Sequence, residues 1–213
     1  MVKVKICGLT NVEDAIAACE AGADYIGFLF AEESPRFIVR DKVRGITGSV
    51  KMNVGKVGLF KDHDAAYVAE SVQLCGLDHV QLHGRETPEY CSLLRKMIAK
   101  RDITVKILKT FKVKDKIMGE DPENYSDVDH YLFDTYHPKM MGGTGIKFDW
   151  DVLKGRNFGR PVFLAGGLDP ENVREAVIAL RPYAVDVSSG IESSQGKKDV
   201  KKVKEFIYNA KNA

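Results

Sequence analysis

A closed (β/α)8 barrel built as a single domain is the fold this chain predicts, on three observations. Eight short apolar runs recur along its 213 residues. Helical patterns lie between most of them, and several runs alternate apolar with polar side chains. Strands separated by helices are parallel and joined by right-handed crossovers, and eight such units fit one domain at the short end of the barrel size range. A doubly wound open sheet is the alternative. It would place a glycine-rich nucleotide loop after the first strand, and Cys7-Gly8-Leu9-Thr10 is no such fingerprint.

The first run, residues 2–6, puts Val2, Val4 and Ile6 on one face and Lys3, Lys5 and Cys7 on the other. Thr10 with Glu13 forms a capping-box pattern for a helix with Val12, Ala15, Ile16 and Cys19 on one side. Strands two, three and four are read over 25–30, 56–60 and 79–83, the last with Gln81 and His83 opposite Val80 and Leu82. Thr87-Pro88 then places a cap before a proline at the first helical position. A fifth strand over 104–110 is followed by residues 111–130, a charged stretch with Gly119, Pro122 and weak helical periodicity, so the fifth helix is expected to be irregular or shortened. The sixth strand, 131–134, ends on Asp134, and the seventh covers 161–165. Asp169-Pro170 opens a helix with Val173, Ala176, Val177 and Leu180 on one face. The eighth strand, 184–188, sets Asp186 and Ser188 opposite Val185 and Val187. The Lys-rich end carries Val200, Val203, Phe206, Ile207 and Ala210 at helical spacing and reads as a docked helix with a solvated basic face. In a closed barrel the apolar strand faces meet the helices, and the polar faces line the upper lumen.

Bulk properties exclude several functions. A net charge of +2 implies no strong pull toward nucleic acid. No apolar run approaches the length of a membrane span. The N-terminus enters a strand directly, so no signal peptide is expected and the expected location is cytoplasmic. Cys7, Cys19, Cys75 and Cys91 show neither metal spacing nor a small secreted framework, and His63, His79, His130 and His137 have no ligand spacing either. Cys19, Cys75 and Cys91 read as small core residues.

Chemistry concentrates where strands end. Cys7 sits at the carboxyl end of the first strand, where α/β folds keep their reactive groups, and Asp134 closes the sixth. Three glycine-bearing turns follow strands six, seven and eight: Gly142-Gly143-Thr144-Gly145, Ala165-Gly166-Gly167-Leu168 and Ser188-Ser189-Gly190. Such turns let backbone amides converge on phosphate oxygens, and barrels commonly bind phosphate there. Gly143, Thr144, Gly145, Gly166, Gly167, Ser189 and Gly190 are therefore candidate phosphate contacts. One thiol, one carboxyl group and these turns suggest proton shuttling on a phosphorylated small molecule.

Further blocks run through the chain: Lys5-Ile6-Cys7-Gly8-Leu9-Thr10, Gly27-Phe28, Ser34-Pro35-Arg36, Val80-Gln81-Leu82-His83-Gly84 and Asp134, then Gly142-Gly143-Thr144-Gly145 with Phe148-Asp149-Trp150, Leu164-Ala165-Gly166-Gly167-Leu168 and the stretch from Asp186 to Glu192. On these residues the chain resembles the phosphoribosylanthranilate isomerase family of tryptophan biosynthesis. The resemblance implies an Amadori rearrangement of N-(5-phosphoribosyl)anthranilate, with Asp134 as general acid at the furanose ring oxygen and Cys7 as general base at C2′. Arg36 is implied to clamp the aromatic carboxylate. No metal or organic cofactor is implied, because the imine formed by the substrate's own nitrogen is the electron sink. The expected partner is the small phosphoribosyl substrate, with no nucleic acid and no membrane, on a monomer or homodimer.

Some roles stay open. Gln81 and His83 either contact the sugar or position the carboxyl group, or are satisfied core polar residues. Asp186 is a substrate hydroxyl partner or an ion-pair member. Lys5 either helps ionise Cys7 or pairs with Asp186. The stretch 135–141 leaves open which amides reach phosphate and whether Lys139 helps. A free thiol titrates near 8.5 and a free Asp near 3.9 (about), so the proposed roles require a site that favours thiolate at Cys7 and neutral acid at Asp134. Two other readings compete: a histidine-pathway phosphoribosyl isomerase, which resembles a paired-Asp catalyst where this chain has Cys7, and a phosphosugar-binding barrel without turnover.

Overall fold

Eight parallel strands pair in chain order and close, the eighth against the first. The computed structural model describes residues 1–119, 121–135 and 150–213. The strands are β1 (Lys3–Cys7), β2 (Tyr25–Leu29), β3 (Gly55–Phe60), β4 (His79–Leu82), β5 (Lys106–Val113), β6 (His130–Thr135), β7 (Val162–Leu164) and β8 (Ala184–Val187). Around them lie α1 (Val12–Glu20), α2 (Arg40–Ser49), α3 (Ala65–Cys75), α4 (Pro88–Ala99), α5 (Val173–Leu180) and α6 (Val200–Lys211). Among the described residues the fifth crossover carries only a 3-10 turn, Pro122–Asn124, in agreement with the shortened fifth helix expected there. A short antiparallel pair, β9 (Glu192–Ser194) and β10 (Lys197–Lys198), follows β8.

The alternation read from sequence sorts the two strand faces. Val4, Ile6, Val80, Leu82, Val185 and Val187 pack with α-helical residues in the outer core. Tyr25, Val57, Leu108, Leu132, Phe163 and Ala184 fill the lower lumen instead, so the barrel is closed beneath its upper end. Three aspartates of matching placement tie the strand starts. Asp24 accepts from Val4 N, Asp78 from Lys56 N and Asp129 from Ile107 N. Each stands just ahead of one strand and satisfies an amide of the strand before it.

Two helix starts differ from expectation. α1 is capped by Asn11, whose side chain accepts from Asp14 N and donates to the Asp14 carboxylate. The cap thus sits one residue later than Thr10, with Asp14 held by the Asn11 side chain. Thr10 is drawn off because its hydroxyl donates to Gly196 O in the β9–β10 turn. Asp169 and Asn172 cap each other a turn ahead of α5, so Asp169-Pro170 leads into the helix without being its first turn. Thr87 caps α4 as expected, accepting from Tyr90 N with Pro88 following. The outer core keeps Cys75 and Cys91, where burial pushes their thiols up to about 11 and about 12, and Cys19 packs against it.

Candidate active site

A cavity opens at the carboxyl end of the barrel. Cys7 from the end of β1 and Asp134 from β6 both line it. Gln81 of β4, His83 just after it and Asp186 of β8 line it too, together with Arg36, Gly166, Gly167 and Ser189. Gly190 is not among the lining residues; it packs against Leu168 and Asp169, holding the turn after β8 to the turn after β7. Gly143, Thr144 and Gly145 lie outside the described residues.

Strand register decides what each polar group faces. Cys7 stands opposite Gly27, where a Cβ would lie 2.9 Å from the Cys7 sulfur, so only glycine leaves the thiol its place. Gly166 adopts φ +90, and a Cβ there would meet Thr135 Oγ1 at 2.2 Å. Both demands locate glycines of the sequence motifs at close backbone approaches beside the cavity.

Lys5 pairs in register with Asp186, and its ammonium donates to Asp186 Oδ1 at 2.9 Å. Burial opposes the charge on Lys5, but Asp186 and Cys7 outweigh it and hold the ammonium above its ordinary range. Burial likewise pushes the Asp186 carboxyl up, against the pull of Lys5. Both alternatives weighed for Lys5 are therefore met in part: it is an ion-pair member, and its charge also favours the Cys7 thiolate. Removing it would strand a buried carboxylate. We expect Lys5→Met to lower unfolding free energy by about 3–5 kcal/mol in chemical denaturation. The double change with Asp186→Asn should restore most of that. A stability loss below about 1 kcal/mol, the scale of an exposed pair, would contradict a buried, functioning pair.

The ionisation of the ligand-free cavity differs from what proton transfer needs. Burial pushes the Cys7 thiol up, and Lys5 and Lys198 only partly offset it. At Asp134 burial also opposes charge, but Lys112 and His83 hold the carboxyl well below the usual carboxylate range. Lys112 Nζ donates to Asp134 Oδ2 at 2.6 Å and lies 2.8 Å from His83 Nε2. His83 Nε2 also stands 3.4 Å from Asp134 Oδ2, and its Nδ1 is 3.2 Å from both Thr110 Oγ1 and Gln81 Nε2. Burial and then Lys112 push His83 down, which keeps the ring neutral.

Arg36 is buried and gives two N–H groups to Glu192, Nε to Oε1 and Nη2 to Oε2, each at 2.7 Å. Lys198 joins the same carboxylate at 2.9 Å and donates to Ser188 O. A guanidinium carries five N–H groups, so the outer edge of Arg36 remains for another anion. Gln81 Oε1 and Ser188 Oγ are buried polar atoms without a hydrogen-bond partner at this cavity, ready to meet ligand hydroxyls. Sequence reasoning missed Lys112, Glu192 and Lys198, and placed Ser188 on the lumen face without giving its hydroxyl a role. Lys112 alternates in phase with Leu108 and Thr110, a signal lost by ending the fifth strand at Thr110. Arg36–Glu192 and Lys198–Ser188 join residues far apart or across a turn, and local pattern carries no trace of them.

Among the described residues no group of His, Cys, Asp and Glu is placed to hold a metal ion, and no helix is long and apolar enough to cross a membrane. A family model described as N-(5'phosphoribosyl)anthranilate (PRA) isomerase matches residues 4–209. A relative from Geobacter metallireducens, named N-(5'-phosphoribosyl)anthranilate isomerase, is 47% identical over 99% of this chain and 100% of its own length. The crystal structure of phosphoribosyl anthranilate isomerase from Thermotoga maritima superposes with a TM-score of 0.86 at 38% identity over 100% of both chains. A crystal structure of a phosphoribosyl anthranilate isomerase in complex with reduced 1-(o-carboxyphenylamino)-1-deoxyribulose 5-phosphate matches at a TM-score of 0.81 and 37% identity, again over 100% of both chains.

Proposed function

The chain belongs to the N-(5'-phosphoribosyl)anthranilate isomerase family, and from that premise we propose that it converts N-(5-phosphoribosyl)anthranilate to 1-(2-carboxyphenylamino)-1-deoxyribulose 5-phosphate through Cys7 and Asp134. The observation that carries this reading is a shared cavity: a thiol from β1 and a carboxyl group from β6 line one space with the turns after β7 and β8. Asp134 donates a proton to the furanose ring oxygen. The C1′–O bond breaks, and the anthranilate nitrogen lends its lone pair to form a protonated imine. Cys7 then removes the C2′ proton, and the C–H electron pair neutralises the iminium as an enolamine. Tautomerisation moves a proton to C1′ and yields the ketone. Gly166, Gly167 and Ser189 are proposed to supply phosphate contacts, with Gly190 shaping their turn. Gln81 and Asp186 are proposed sugar partners, and His83 a positioning partner of Asp134.

The reactive pair holds the same number of protons as the ligand-free pair. A proton leaves Cys7 and one arrives on Asp134, so the productive form is a constant fraction of the protein between the two midpoints. The kcat/KM profile should therefore be flat across neutral pH and fall outside those midpoints.

Arg36 is proposed to hold the substrate carboxylate by its outer N–H edge while Glu192 fixes the inner edge. Arg36→Met should raise KM roughly 10–100-fold, the worth of charge-assisted hydrogen bonds, with a smaller change in inhibition by inorganic phosphate. Equal losses for both ligands would remove the carboxylate role. The function itself is tested by adding the protein to N-(5-phosphoribosyl)anthranilate and following the loss of anthranilate fluorescence. Folded protein that leaves the signal constant, or that turns over only a histidine-pathway ribonucleotide, would overturn the reading.

A further inference from the structure

The chemistry proposed above gives Lys112 no task, yet its ammonium bridges Asp134 and His83. The pairing of β5 with β6 sets Lys112 directly beside Asp134. Its side chain is 28% exposed against 8% for Asp134. The lysine thus reaches inward from the rim and can withdraw into water without disturbing the barrel core, while the carboxyl group stays in place. Among the other titratable groups around Asp134, His83 just after β4 adds to the pull of Lys112 but is itself pushed toward its neutral form, Asp186 from β8 has the same sign as Asp134, and Lys5 of β1 is engaged with Asp186 and lies beside the Cys7 thiol. Lys112 is not itself among the residues lining the cavity.

We propose that Lys112 is a positioning residue that holds Asp134 as a carboxylate while the cavity is empty, and that Asp134 becomes an acid only when this ammonium releases its oxygen. The inference rests on the assignment of Asp134 as the proton donor. The ammonium, 2.6 Å from Oδ2, favours the carboxylate over the acid whichever oxygen would take the proton, so the acid form is disfavoured while the lysine stays bound. The substrate is anionic and gives the withdrawn ammonium a new partner. Cys7 releases its proton to water as water delivers one to the carboxylate; Asp134 passes that proton to the ring oxygen, and the C2′ proton taken by the Cys7 thiolate restores the thiol. The sum is an isomerisation with no net gain or loss of protons. Lys112 would thereby couple ligand entry to the appearance of the acid, and suppress protonation of Asp134 in an empty site.

The direct test is a 13C NMR titration of the Asp134 carboxyl in ligand-free protein, with its signal identified by loss in Asp134→Asn. In the wild type the carboxyl should stay ionised below the usual carboxylate range. A nearby positive charge favours the carboxylate, so its removal moves protonation to higher pH. Lys112→Met should raise the midpoint by about one to three pH units, and Lys112→Arg should leave it near the wild type. The acid limb of kcat/KM should move in the same two directions. A residue that merely supported the strand would lower kcat at every pH and leave both readouts where they were. A Lys112→Met midpoint that coincides with the wild type would overturn the proposal, as would an equal rise in Lys112→Arg. Should Lys112→Met fail to fold, Lys112→Gln enters the same titration. Absence of isomerase activity in the wild type would instead refute the functional reading, and the titration would still decide what Lys112 does to Asp134.

Discussion

Cys7→Ala is expected to lower kcat about 10²–10⁴-fold, the share that a positioned general base commonly carries. Binding of the reduced product analogue should stay close to wild type. The reason for the separation is geometric. The sulfur sits over Gly27 in a small apolar niche with Leu29 and Leu59, while the groups proposed to hold the ligand's charges are Arg36 and the turns after β7 and β8. Removing one sulfur leaves those in place. Cys7→Ser is the sharper control, because it preserves a polar atom of similar reach. A hydroxyl is far harder to ionise than a thiol, and Lys5 already fails to offset the burial of the sulfur. The serine variant should therefore be as slow as the alanine variant. Single-turnover kinetics measure the chemical step directly. Turnover within about tenfold of wild type in both variants, well short of a general base's ordinary share, would reject Cys7 as the base.

Asp134→Asn should cost a comparable factor, about 10²–10⁴ in kcat, through loss of the proton donor. Asparagine keeps the shape and turns its carbonyl oxygen toward Lys112, so the contact that holds the carboxylate at 2.6 Å survives in weakened form. KM is expected to change little. The pH profile separates the chemistry from the packing. Asp134 lies below the usual carboxylate range and Cys7 above the usual thiol range, so wild-type kcat/KM falls at low pH with Asp134 and at high pH with Cys7. In Asp134→Asn the acid limb set by the carboxyl group should vanish while the basic limb remains. An unchanged acid limb in a variant of normal activity would assign that limb, and the acid role, to another group.

Much of the frame was legible because it follows from local rules. Val4 and Ile6 face the helices while Lys5 and Cys7 face the lumen, since successive side chains on a strand point to opposite sides. The weak periodicity after residue 110 marked the missing helix, which is a single 3-10 turn. The same passage shows the limit. Read from sequence, Lys109 falls within the fifth strand and Lys112 beyond its end, yet Lys109 pairs with buried Glu86 and Lys112 with Asp134. Both lysines are strand residues whose charges are met by groups on neighbouring elements, so composition misled at Lys112, where tertiary partners compensated. Asn11 displaced Thr10 as the cap of α1 for a similar reason: the Thr10 hydroxyl finds its partner at Gly196.

By itself the sequence determined the alternation of strand faces, the order of the crossovers and the strand ends at which Cys7, Asp134 and the glycine turns emerge. Those depend on backbone geometry within a few residues. Only the closed barrel decided which charges meet, because Lys5 and Asp186 are 181 residues apart and become neighbours through the β1–β8 seam. Protonation followed from that seam and from the β5–β6 register. Burial and a facing ammonium are properties of the assembled lumen, and they set Cys7 as a thiol and Asp134 as a carboxylate in the empty cavity.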